Sequence, residues 1–172
     1  MYKLGTENLN VLFKYVNIVK EYALTTSSSL GIYLLLEICS ISPLNITQIL
    51  SQDLEWLKVQ SMSVNDQVRY YSAELWSLVL INNIINSQQH DSKNYQNLNY
   101  ELLFSNLINL KKSVLDNSSK SFESKHGAIL NIGFALGKYL NLTKSNISND
   151  SYKESLKTLT LSIGIYKCFT PC

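Results

Sequence analysis

Apolar residues recur every three or four positions along most of the chain, the spacing of one face of an α-helix. Leu9, Leu12, Phe13, Val16, Val19 and Ala23 form such a face on a helix predicted over 8–24. The hydroxyl run Thr25 to Ser29 interrupts it and supplies caps for a second helix over 30–40. That second helix is apolar nearly all round, so it is expected to be central. Pro43 breaks the chain and suits the first turn of a third helix over 44–61, with Ile46, Ile49, Leu50, Leu54, Leu57 and Trp56 inward. The turn Ser63-Val64-Asn65-Asp66 precedes a fourth over 67–85. Asn65 or Asp66 is its cap, and the Asp66 carboxylate also suits the positive helix end. A polar loop over 86–97 separates it from a fifth helix over 99–115, with Leu102, Leu103, Leu107, Leu110 and Val114 facing inward. A sixth helix follows over 122–142, then a polar loop over 143–150 and a partial seventh over 151–166. Strand-like alternation is missing from this pattern.

Consecutive helices joined by short links fall into pairs, approximately 8–40, 44–86 and 98–142, with 151–166 left over. The pairs repeat at about 37 and then about 55 residues, the range of HEAT and armadillo solenoids. One pair cannot bury its own apolar surface, so neighbouring pairs must stack. The expected fold is all-α, a HEAT/armadillo-like α-α superhelix of about three to four helix pairs. The chain 1–172 reads as a single segment of a longer solenoid, because its last helix lacks a partner. A compact seven-helix bundle is the alternative arrangement.

Composition narrows the class. Hydrophobic residues make up 45% of the 172 residues, enough for a core and too many for wholesale disorder. Six glycines and two prolines are too few for the many turns of a sandwich or barrel. Charged residues reach only 16%, and Ser (23 copies) and Asn (18 copies) occupy the polar positions instead. A net charge of +2 creates no field that would demand a nucleic-acid partner or an anionic membrane. The most apolar run, 30–41, contains Glu37 and is shorter than the roughly 20 residues of a membrane span. No membrane span is expected. The first ten residues lack the pattern of a secretory signal. Cys39, Cys168 and Cys172 make an odd set that fits a reducing compartment, and the five Asn-x-Ser/Thr sequons are discounted because roughly three would arise by chance at this Ser and Thr content. The expected location is cytoplasmic and nuclear.

Candidate chemistry is sparse. In the stretch 54–80, a leucine-rich helix leads into Asp66-x-Val68-Arg69 and then Ser72, Ala73, Leu75 and Trp76, the pattern of a HEAT repeat. Asp66 and Arg69 can pair within the repeat or with the next one and hold the stack in register. Arg69 as an anion ligand is the weaker reading. In the stretch 123–140, Gly127, Gly133 and Gly137 sit in a helix where each costs about 1 kcal/mol relative to Ala. With Ala128 and Ala135 they imply close helix-to-helix approach. Lys125, His126, Asn131 and Lys138 argue against a membrane dimer through Gly133 and Gly137. His126 has no second histidine or carboxylate pair nearby, because His90 falls in a polar loop. A cap or hydrogen bond at the helix start suits His126 better than metal binding or base catalysis. Cys168 and Cys172 lack further metal ligands, and Lys111, Lys112 and Lys138 read as solvated charges. The eleven tyrosines, Tyr70 and Tyr71 included, are scattered without the basic stripe that base stacking would use. No catalytic, cofactor-binding or metal-binding residue is assigned, and the chain is not expected to be an enzyme.

The run VRYYSAELWSLVL, followed some fifty residues later by ESKHGAILNIGFALGKYL, resembles the family of proteasome-associated HEAT-repeat adapters and scaffolds. The resemblance is carried by a His-Gly-Ala-x-Leu-x-x-Gly helix, His126 to Gly133, and a Gly-basic-Tyr-Leu ending, Gly137 to Leu140. The leucine-rich stretch 102–121 fits the same pattern, and the likeness spans about 44–142. It implies a non-catalytic scaffold that binds 26S proteasome subunits and holds or tethers the core and regulatory particles. It also implies cytoplasmic, nuclear and endomembrane-associated pools, and neighbouring repeats of a longer chain as further partners. The alternatives are a generic HEAT scaffold of the transport or phosphatase-assembly type, or a small helical-bundle enzyme or ligand carrier with a closed apolar pocket.

Overall fold

The computed structural model describes residues 6–41, 47–88 and 100–143. Pro43, His90, Cys168, Cys172 and the helix predicted over 151–166 lie outside the described residues. Within them the chain is all-helical: α1 (Thr6–Thr26), α2 (Ser29–Ile41), α3 (Leu54–Gln60), α4 (Asp66–Gln88), α5 (Tyr100–Leu110) and α6 (Phe122–Thr143). A 3-10 turn, Ser51–Asp53, precedes α3, and a π-helical turn, Lys111–Leu115, extends α5.

The local chemistry sets most boundaries. Ser27 ends α1 in the left-handed region (φ 47°), donating its N–H to Ala23 O at 2.9 Å, and α2 begins two residues later. So tight a return presses the helices together: a Cβ on Gly31 would lie 3.1 Å from Ala23 Cα. Asn65 caps α4, its Oδ1 accepting the N–H groups of Gln67 (3.0 Å) and Val68 (3.2 Å). Ser121 does the same for α6, accepting the Ser124 N–H at 3.3 Å.

Three elements differ from the periodic pattern. The third helix is shorter than 44–61, because residues 47–53 are wound with i to i+3 bonds, such as Leu50 N–H to Thr47 O and Asp53 N–H to Leu50 O. The Ser51 hydroxyl competes for the Gln48 carbonyl at 2.7 Å, and Lys20 of α1 donates to Ile49 O at 3.3 Å. Lys20 also meets the Asp53 carboxylate at 2.6 Å, so this turn is tied to α1 rather than to its own helix. At the end of α5 the Asp116 N–H reaches back five residues to Lys111 O, and an ion pair between the same two residues closes the π turn. The fourth helix runs on to Gln88, past the polar boundary at Asn86.

The second helices stack in order, α2 on α4 and α4 on α6, with α1, α3 and the α5 segment flanking that layer. The first and third pairs are joined through the middle one, the nearest-neighbour arrangement of a repeat solenoid rather than of a closed bundle. The central helix is α4, not α2 as the apolar content suggested. Val68, Leu75, Trp76, Val79, Leu80, Ile81 and Ile84 are all buried there, whereas α2 leaves Leu30 and Leu34 exposed. Helix α2 stands at the edge of the described layer, whereas α4 has α2 packed on one side and α6 on the other.

Left-handed geometry at a non-glycine residue costs about 1–2 kcal/mol. Ser27→Gly is therefore expected to stabilise the fold by about 0.5–1 kcal/mol, seen as a higher midpoint in urea unfolding. A lower midpoint would mean that the α1–α2 return is not made this way.

Candidate functional site

The chemistry of the molecule concentrates where the third helix pair docks on the second. Arg69, one turn into α4, is only 5% exposed. Its Nη1 donates to the carbonyls of Ser63 and Val64, its Nη2 to the Asp66 carboxylate, and its Nε to His126 Nδ1 at 3.1 Å. Each nitrogen of the guanidinium is thus engaged inside the protein, with four of its five N–H groups taken up, which favours the register role over anion binding. His126 must be the neutral Nε2–H tautomer to accept this bond. Phe122 stacks on its ring with centroids 5.9 Å apart.

Gly127 explains why α6 can come so close. A Cβ there would stand 1.8 Å from Ser61 O, so only a hydrogen fits against the α3–α4 turn. One turn on, the buried Asn131 donates to Ser61 Oγ at 2.7 Å, and that hydroxyl donates to Lys58 O at 2.7 Å. His126, Gly127 and Asn131 therefore grip one turn from one face of one helix. Gly133 and Gly137 correct the expectation of close packing: a Cβ at either meets nothing within 4 Å. They lie on the outward side of α6, away from α4. Lys138 also departs from the solvated reading, since it meets Glu74 of α4 at 3.7 Å.

The tyrosines that look scattered in sequence are partly gathered. Tyr33 of α2 lies 5.2 Å from Tyr71, Tyr71 lies 5.9 Å from Tyr70, and Tyr70 lies 5.1 Å from Phe134 of α6, centroid to centroid. One band of rings thus crosses all three second helices. The signal was present as an aromatic residue with a charge four positions later in each, but it can be read only once the helices are aligned.

No group of three or more His, Cys, Asp or Glu side chains among the described residues could hold a metal ion. A cleft of about 180 Å³ between α3, α4 and α5 is lined by Glu55, Lys58, Trp76, Asn106 and Leu110, below the few hundred Å³ of a typical ligand pocket. No helix of the described residues is long and apolar enough to cross a membrane. Cys39 is buried, and burial pushes its thiol up to about 12.

Two outcomes follow. Gly127→Ala should cost about 1–3 kcal/mol or more because backbone must shift. Gly133→Ala and Gly137→Ala should each stabilise by about 0.5–1 kcal/mol. Denaturant unfolding of the three variants checks this, and equal effects at all three sites would contradict the docking geometry. Second, Cys39 should resist iodoacetamide at pH 8 in the folded chain, since the reactive thiolate forms only near the raised value, and it should label on unfolding. Peptide mapping that finds Cys39 labelled in folded protein would refute its burial.

A family model described as "ECM29, ARM-like repeats" matches residues 4–163, a span that takes in every described helix and the whole Arg69–His126 junction. No curated protein and no solved structure matches the chain. The helix-pair stacking agrees with that match, and the chain belongs to the ECM29 family of ARM-like repeats.

Proposed function

We propose that this chain is a non-catalytic repeat scaffold that binds the 26S proteasome and helps hold its core and regulatory particles together. The observation that carries the reading is the family match over 4–163, because ECM29 is a proteasome-associated protein. The physical side is consistent with it. Helix pairs locked to their neighbours present a semi-rigid surface, and binding affinity then comes from side chains spread along that surface rather than from one pocket. The proposal carries with it a cytoplasmic and nuclear location.

Affinity capture of the tagged chain from its own cell lysate, with captured peptidase activity read on a native gel, tests the proposal. Activity that survives a moderate salt wash is the expected result and puts a contact within these residues. Activity captured by a longer form of the protein but not by this chain would remove the contact from it. Absence of activity with both forms would leave a repeat scaffold for a different assembly.

A further inference from the structure

The second helices of the three pairs share one spacing. Tyr33 precedes Glu37 by four residues in α2, Tyr70 precedes Glu74 in α4, and Phe134 precedes Lys138 in α6. Four residues is just over one helical turn, so ring and charge lie on one face of each helix. With α2, α4 and α6 stacked side by side, the rings meet in one row, and the charged positions form a second series in which Glu74 meets Lys138.

The ring row runs Tyr33, Tyr71, Tyr70, Phe134 in steps of 5.2, 5.9 and 5.1 Å, all tilted or edge-on. Tyr33 is 38% and Tyr70 46% exposed, while Tyr71 and Phe134 are half-buried, so the row is reachable from water at two of its four rings. In the charge row, Lys138 is taken up by Glu74. Glu37 is exposed and has no ion pair among the described residues. The neighbouring Glu37 carboxylate, four residues on, pushes the Tyr33 phenol up from its ordinary value. The row thus holds one more carboxylate than cations, and the surplus charge sits beside the most open end of the ring band.

Exposed rings flanked by an unpaired carboxylate suit a cation on an apolar stem. A guanidinium stacks on a tyrosine face and offers its planar fork to a carboxylate, which an anion or a neutral side chain does not do. Three ring-to-ring steps of this size are spanned by roughly five residues of extended chain. We propose that the band is a docking track for an extended segment of a partner protein that carries an arginine or lysine, its cation seated over Tyr33 beside Glu37. The inference rests on the scaffold reading only in taking the partner to be a protein.

The test titrates the whole 172-residue chain against a dye-labelled peptide of alternating arginine and serine, about eight residues long, with a glutamate–serine peptide as control. Fluorescence anisotropy should show binding of the arginine peptide alone, weakening several-fold between about 50 and 200 mM salt. Tyr33→Ala should lower the affinity about tenfold and Glu37→Gln about threefold to tenfold, while Lys138→Gln, by releasing Glu74, should raise it about threefold. Glu37 is exposed, so E37Q carries the test even if Y33A unfolds. Equal binding of the two peptides, no binding of the arginine peptide, or unchanged affinity in E37Q would overturn the proposal. The assay contains no proteasome, so the scaffold reading stands or falls separately on the capture experiment.

Discussion

The guanidinium of Arg69 holds two things in place at once, the turn that starts its own helix and the helix pair that follows. A nearly buried cation is tolerated only when its charge and its N–H groups are compensated. Asp66 and the Ser63 and Val64 carbonyls meet that demand from within the repeat, and His126 completes it from the next one. Charge-assisted bonds of this type are worth about 1.5–3 kcal/mol each, and removing one partner leaves the others buried and unmatched. The shape of the α3–α4 turn and the seating of α6 are therefore a single constraint.

Two kinds of adhesion join the three pairs. Between the first and second, contact is largely apolar, with Lys20 fastened to Asp53 and Ile49 O at the edge. Between the second and third it is specific: a glycine against a carbonyl, a buried asparagine on a hydroxyl, an imidazole on a guanidinium. Apolar packing tolerates sliding, whereas hydrogen bonds with fixed donors and acceptors define one register. That register is what carries Tyr70 onto Phe134 and Glu74 onto Lys138. An interaction surface spread over several helices depends on such precision, because no single helix carries enough of it.

Much of the secondary structure could be read directly. The three- and four-residue spacing located each described helix, and Asn65 was one of two residues foreseen as the cap of α4. The likeness of the 123–140 stretch to a proteasome-associated repeat family agrees with the ECM29 match. The 3-10 turn at Ser51–Asp53 and the π turn at Lys111–Leu115 escaped notice, because each depends on a partner the helical period does not encode: Lys20 for the first, the Lys111–Asp116 pair for the second.

The glycines of α6 mark the division most clearly. By itself the sequence determined that this is a paired-helix array and, Leu102 apart (expected inward but 43% exposed), which residues face inward, since both follow from spacing along one chain; that His126 and Gly127 belong to a repeat motif came from the family resemblance. Only the tertiary structure decided that Gly127 lies against Ser61 O while Gly133 and Gly137 face outward, that α4 rather than α2 is central, and that four rings from three helices form one band. The reason is physical: helical period assigns a residue to a face, but which neighbour covers that face is settled by how the pairs stack.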